Sequence, residues 1–117
     1  MTIKVGSIGV PLRIATGFDM SGSTSLTMEI TKPDGTVLTK TSGAGEVSAP
    51  AVTLPLTDPD LPGALASTYF EYTNTVDDYT ETGLATDTNP WKVCGIYVDG
   101  SQILPVSPVP FTVSAGC

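Results

Sequence analysis

The sequence contains no histidine. Histidine supplies the general base in Ser-His-Asp and Cys-His nucleophile systems and is a common zinc ligand, so its absence excludes both kinds of site in their usual form. Phosphate-binding loops and dinucleotide-binding glycine motifs are also missing, and Gly6 and Gly9 only bracket a turn. These absences predict a protein that is not an enzyme, with no catalytic residues, no metal site and no cofactor.

Basic residues are scarce as well: five Lys and Arg stand against twelve Asp and Glu, for a formal net charge of −7. They are dispersed along the chain, at Lys4, Arg13, Lys32, Lys40 and Lys92. Nucleic-acid binding needs clustered cations that displace counterions from phosphates, and an anionic membrane surface attracts the same kind of cluster. We therefore expect neither a nucleic-acid partner nor a membrane partner, whereas an acidic surface suits a basic protein partner.

Long hydrophobic runs are absent too. No segment approaches the roughly 20 apolar residues that a membrane-spanning helix requires. The opening residues, Met1-Thr-Ile-Lys-Val5, lack the basic and then apolar pattern of a secretory signal. We expect the chain to be made in a cytoplasm and to stay there until assembly or lysis.

The chain has only two cysteines, Cys94 and Cys117, which are too few for a disulfide scaffold. Cys94 falls within a predicted strand, where a free thiol behaves as a small apolar side chain. Two alternatives remain open. One is a bond between Cys94 and Cys117, which needs the two backbones to approach closely. The other is an intermolecular cross-link through Cys117.

Glycine and proline, which interrupt helices and strands, are frequent in the sequence. Twelve glycines and ten prolines are spread over the whole length, so no interval is long enough for a good helix. Val, Ile and Thr fill the intervals, as in short strands joined by turns. Hydrophobic residues at 40% make the chain too apolar for disorder. We predict one all-β domain over residues 1–117.

The clearest element is a β-hairpin over residues 25–41. Its first strand alternates apolar with polar residues, which gives one buried and one wet face. The buried face carries Leu26, Met28 and Ile30. The following Lys32-Pro-Asp-Gly-Thr36 is a turn, because proline presets φ and Gly35 accepts positive φ.

Further strands are expected along the rest of the chain. They cover residues 2–5, 10–15, 50–56, 67–74, 91–98, 101–104 and 111–114. Pro11 favours an edge position for its strand, and Asp99-Gly100 marks a hairpin turn after the strand at 91–98. About seven or eight short antiparallel strands with frequent turns predict an Ig-like β-sandwich.

Two strands suggest a protein interface. If Trp91 anchors the core together with Val93 and Tyr97, then Ile96 and Val98 share the opposite face, and a strand that is apolar on both faces must be covered on both. Residues 67–74 carry aromatic side chains at consecutive positions, and tyrosine is enriched at interfaces. The residues expected to contact a partner are Tyr69, Tyr72, Ile96, Val98 and Cys117.

Acidic residues concentrate in the stretch 77–87, which we expect to be a long loop. A solvated acidic loop explains them best. A calcium site is the alternative, since several oxygens would have to converge there, but the ordered spacing of a calcium-binding loop is missing.

Three features occur in an order that resembles small Ig-like modules of tailed-phage virions, such as the N-terminal domain of upper baseplate proteins and related tail or head-attached proteins. They are the Lys32-Pro-Asp-Gly-Thr36 turn, the strand from Trp91 to the Asp99-Gly100 turn, and the final Phe111-Thr-Val113 strand. Asp19-Met-Ser21 is similar to the Asp-x-Ser stretch that precedes the hairpin in those modules.

The resemblance implies a virion structural protein in the tail, baseplate or fibre-anchoring apparatus. Such a protein docks onto other virion proteins, by shape and edge-strand complementarity, and a homo-oligomer is compatible with that role. A capsid decoration protein is the nearest alternative. A carbohydrate-binding module is an alternative of another class, and exposed aromatic rings with calcium dependence would favour it.

Overall fold

The computed structural model describes residues 2–116, and its regular structure is entirely β. Within that range there are nine strands: β1 Thr2–Lys4, β2 Pro11–Ala15, β3 Ser25–Thr31, β4 Val37–Thr41, β5 Val47–Ser48, β6 Tyr69–Thr73, β7 Trp91–Asp99, β8 Gln102–Pro105 and β9 Val109–Ser114. No helix among these residues is long and apolar enough to cross a membrane.

The strands form two sheets that pack face to face. The larger sheet has the order β1-β9-β7-β3-β4, with β8 also paired to β7, and the smaller has the order β2-β6-β5. All pairs are antiparallel except β1 with β9. The two strands β8 and β9 share one edge of β7: β9 pairs with its first residues and β8 with its last.

The strand order can be compared with that of an immunoglobulin sandwich. The order β2-β6-β5 corresponds to strands B, E and D, and β4-β3-β7-β9 corresponds to C′, C, F and G. The first strand departs from the constant-domain pattern, because β1 joins the larger sheet beside β9 and leaves β2 at an edge. The prediction of an all-β sandwich is therefore confirmed, although nine strands form where seven or eight were expected, and β1 pairs with β9 in parallel.

The core lies between the two sheets and follows from period-two alternation. In β3 the side chains alternate strictly between half-buried and buried, and Leu26, Met28 and Ile30 are the buried ones, as predicted.

Trp91 is fully buried at the start of β7, with its ring 5.8 Å from that of Tyr79 and 5.9 Å from that of Phe111. Its indole Nε1 donates a hydrogen bond to the Glu81 carbonyl, 3.1 Å away. The tryptophan thus fastens the loop between β6 and β7 to the core.

The hairpin of residues 25–41 is confirmed. β3 pairs with β4 from Thr27 to Thr31, and Gly35 has φ of +91° in the connecting turn. Thr36 N–H donates to the Asp34 carboxylate at 2.8 Å, which is the side-chain turn bond that favours aspartate here.

The prediction of a strand at residues 50–56 is wrong. That stretch is irregular, and the short strand β5 lies just before it. The irregular segment crosses the outer face of the smaller sheet instead of extending the sheet. The Tyr69 hydroxyl donates to the Val52 carbonyl at 2.9 Å, and Arg13 contacts Asp58 at 3.5 Å and Glu71 at 2.7 Å.

The two sheets approach each other closely at Gly95. A Cβ built on Gly95 would lie 2.5 Å from Cε2 of Phe70, which reaches across from β6. Real Cβ atoms do not come this close to a ring, so only glycine lets the buried Phe70 ring lie flat on β7.

Replacing Gly95 by alanine is therefore expected to destabilise the fold by about 1–3 kcal/mol through overpacking. Urea unfolding followed by circular dichroism measures the free energy of unfolding. Gly43→Ala is the matched control, because a Cβ at Gly43 meets nothing within 4 Å and its φ is not positive. Equal stability of the two variants would contradict the close approach.

Candidate protein interface

Beyond the exposed Lys92, the outward face of β7 is apolar but only half-covered. Along β7, Trp91, Val93, Gly95 and Tyr97 are buried, whereas Cys94, Ile96 and Val98 are half-buried on the opposite face. The expected division of this strand into a core face and an outer face is thus observed. On β3 the outer-face neighbours of Ile96 and Val98 are Thr27 and Ser25, so the apolar surface stops at β3.

In the other direction the apolar surface continues onto β8. The register places Ile103 opposite Val98 and Pro105 opposite Ile96. Ile103 is 67% exposed. We call Ile96, Val98, Ile103 and Pro105 the apolar strip. It contains the two strand residues that the alternation of β7 indicated, together with two that were not anticipated.

The backbone edge of β8 is also available. Val106 N–H donates to the Gly95 carbonyl at 2.8 Å, and hydrogen-bonded pairs alternate along an antiparallel ladder. The N–H and C=O of Ile103 therefore point away from β7, and no other strand of residues 2–116 pairs with β8. β8 carries no charged residue, although charges are a common device that protects exposed edges from pairing with other chains.

The opposite edge of the larger sheet is protected. Lys40 on β4 points inward, and its side chain is only 12% exposed. Its Nζ lies 3.4 Å from Asp78 Oδ1 and 3.8 Å from Glu46 Oε2, and it lies over the Tyr72 ring, 5.2 Å from the centroid. An inward-pointing charge on an edge strand discourages edge-to-edge pairing. We call Lys40, Glu46, Tyr72 and Asp78 the Lys40 cluster.

The structure corrects the expectation that Tyr69 and Tyr72 contact a partner. They are 1% and 2% exposed. Tyr72 faces the core and donates a short hydrogen bond to the Asp78 carboxylate. Tyr69 is on the outer face of β6, but the irregular segment that includes Val52 lies over it. The chain itself therefore provides the second cover that the consecutive aromatic residues require.

Cys94 borders the apolar strip and pairs with Glu29 in the ladder between β7 and β3. Burial, followed by the Glu29 carboxylate, raises the pKa of the Cys94 thiol above its ordinary value. A thiol that stays protonated is a poor nucleophile, which fits a packing role. Cys117, the other expected contact, lies outside the described residues.

The acidic stretch 77–87 forms no metal site within residues 2–116, where no three His, Cys, Asp or Glu side chains converge. Asp78 is 5% exposed and is bound by Lys40 and Tyr72. Seven of the eight aromatic rings are buried, and the eighth, Phe18, is half-buried edge-on to Tyr97 at 5.3 Å. An exposed stacking platform for sugars is therefore not formed by these rings.

Two adjoining surface depressions of about 440 and 310 Å³ lie beside β2. Arg13 and Asp60 are the only charged side chains that line them. Arg13 Nε donates to Glu71 Oε2 at 2.7 Å. The rest of the lining is mostly apolar, so the depressions present no positioned acid and base.

Tyr79 and Tyr72 form a matched pair of buried phenols. The Tyr79 hydroxyl is buried without a hydrogen-bond partner among residues 2–116, whereas the Tyr72 hydroxyl is bonded to Asp78. Tyr79→Phe is expected to raise the free energy of unfolding by about 1 kcal/mol, and Tyr72→Phe to lower it by about 1.5–3 kcal/mol. Thermal and urea unfolding measure both variants. A loss of stability in Tyr79→Phe would show that its hydroxyl is satisfied.

All four tyrosines have pKa values above the ordinary 10.0, chiefly because burial disfavours the phenolate. Above about pH 10 the unfolded chain loses protons that the folded chain keeps, so stability falls as the pH rises. We expect tyrosinate absorbance to appear in one step together with loss of the β circular dichroism signal. Gradual ionisation before unfolding would contradict this.

No protein-family model, curated protein or solved structure matches this chain. The functional inference therefore depends on the geometry of the chain and on its sequence motifs.

Proposed function

We propose that this protein is a structural component of a tailed-phage particle that docks onto other virion proteins through the apolar strip and the free edge of β8. The observation that carries the proposal is the continuity of these two surfaces. Side chains of the strip offer apolar area, and Ile103 offers a backbone donor and acceptor at the rim of the same surface.

An extended segment of a partner could add to β8 as a further strand. In strand addition the main-chain hydrogen bonds supply affinity, and alternate side chains supply specificity. Pro105 has no N–H and therefore limits the number of bonds at one end. The apolar strip makes up for this missing hydrogen bond, because apolar area is removed from water when the partner covers Ile103 and Val98.

The placement in a phage particle is supported by the sequence features that resemble Ig-like virion modules. The turn at residues 32–36 joins β3 to β4, and the strand that begins at Trp91 is β7, beside β3 in the larger sheet. A tail, baseplate or fibre-anchoring position follows from the same resemblance. The net charge of −7 favours a neighbour with a basic surface.

Two other functions are less well supported. A capsid decoration protein would use a similar docking surface, and only its location in the particle would differ. A carbohydrate-binding module usually stacks sugars on exposed aromatic rings, and the rings of this chain are turned inward. Protein docking requires no such platform.

The test is complementation of a tailed phage whose own copy of the gene is deleted. Cells supply either the wild-type chain, Ile103→Asp, or Val52→Asp as a control at another exposed aliphatic residue. Particles are separated by density gradient, and heads and tails are probed for the chain. We expect the wild type and Val52→Asp in tail fractions, and at least a tenfold loss for Ile103→Asp, since a buried unpaired charge costs more than about 1.4 kcal/mol.

The outcomes separate the alternatives. Wild-type chain found only on heads would favour the decoration function over the tail function. Chain that never sediments with particles would rule out a virion role. Equal incorporation of Ile103→Asp and Val52→Asp would retain a virion role but exclude the apolar strip as its docking surface.

A further inference from the structure

The Lys40 cluster joins three separate parts of the fold at one partly enclosed point. Lys40 lies on β4, Glu46 just before β5, and Asp78 in the loop after β6. The Asp78 side chain is 6% exposed and the Glu46 side chain 35%. An amine, a carboxyl group and a second carboxylate are therefore held together where water has limited access.

We propose that Lys40 and Asp78 condense within the folded domain to form an isopeptide bond. The cluster supplies each group that this reaction needs. Lys40 is the nucleophile, Asp78 the acyl group, Glu46 the base and Tyr72 the donor to the developing oxyanion.

The reaction begins from the ion pair, in which Nζ of Lys40 is 3.4 Å from Oδ1 of Asp78. A proton passes from the ammonium group to the carboxylate, which gives a neutral amine and a neutral acid. Nζ then attacks the carboxyl carbon, and a carbon–nitrogen bond forms. Glu46 accepts the second proton, which Nζ loses as it attacks, and passes it to Oδ1. The carbon–oxygen bond to Oδ1 then breaks, and this oxygen leaves as water with both protons. One ammonium and one carboxylate thus become one amide and one water, with no oxidant or other reactant.

Two neighbours assist these steps. Glu46 Oε2 lies 3.8 Å from Nζ, and its other oxygen accepts a hydrogen bond from Thr41 N–H at 3.3 Å, which orients the carboxylate as a proton acceptor. The Tyr72 hydroxyl donates to Oδ2 of Asp78, the oxygen on which negative charge develops during attack. Burial and the bond to Asp78 raise the pKa of Tyr72, so this donor stays protonated.

Folding supplies the driving force as well as the geometry. A partly buried ion pair loses the solvation of both charges, and a neutral amide removes that cost. Contact between groups held in place replaces a bimolecular encounter. The ion pair of Arg13 with Glu71 is as close, at 2.7 Å, but a guanidinium that stays protonated is not a nucleophile. Of these two ion pairs, only the one that contains Lys40 can therefore form an amide.

The bond would link residues 38 positions apart and would tie edge strand β4 to the loop that Trp91 fastens from the other side. A covalent tie of this kind restricts the unfolded chain, as a disulfide does. A covalent bond between these two parts of the fold would also resist a pulling force. Such resistance suits a component of an assembled particle, which is the function proposed above.

The experiment is intact-mass spectrometry of the denatured wild-type protein. We expect a mass lower than the calculated one by one water molecule. Lys40→Arg and Asp78→Ala should each show their full calculated masses, whereas the surface control Lys92→Arg should keep the deficit. Tandem mass spectrometry of a digest should recover a branched peptide joining Lys40 to Asp78. Glu46→Gln is expected to leave a measurable fraction of chains at full mass.

Full mass in the wild type overturns the proposal and leaves the cluster as an ion pair. Loss of water also occurs when an aspartate before glycine cyclises, so a deficit that maps to Asp34 or Asp99, or that persists in Lys40→Arg, overturns it as well. Complete reaction in Glu46→Gln would overturn the role of Glu46 as the base. The wild-type measurement does not depend on whether any variant folds.

Discussion

From Val93 to Val98 strand β7 is apolar on both of its faces. The arrangement of the two sheets depends on covering the inner face. Trp91, Val93 and Tyr97 point inward, and the smaller sheet closes over them. The approach is so close that Phe70 lies on the backbone of Gly95. Because β7 sits in the middle of the larger sheet, this contact also sets the positions of β3 and β9.

The outer faces of the two sheets are covered to different extents. On the smaller sheet, an irregular segment of the same chain covers Tyr69 and is held by Arg13 and Asp58. Backbone N–H groups of Leu61 and Asp60 hold the pKa of Asp58 below its ordinary value, so this contact remains charged well into the acidic range. On the larger sheet, the apolar strip has no comparable cover from residues 2–116. This asymmetry is the physical basis for the proposal that a partner docks at β7 and β8.

The edges of the larger sheet are also unequal. The edge at β4 contains Lys40, which is turned inward and neutralised by Asp78. The edge at β8 has no charge and exposes Ile103. A protein that avoided all contact would protect both edges, since an exposed apolar edge strand promotes pairing with other chains. The combination of one protected and one open edge is consistent with a molecule that binds in one direction.

The β class, the hairpin around Gly35 and the two faces of β7 were predictable from the sequence, because turn chemistry and alternation are local properties. Ile103 was within reach of the same reasoning, since the Asp99-Gly100 turn sets its register opposite Val98. Only the tertiary structure decided that Tyr69 is buried under its own chain. Only it brought together Lys40 and Asp78, whose spacing of 38 residues carries no periodic signal. Long-range contacts depend on how sheets and loops pack, and no pattern of neighbouring residues encodes that packing.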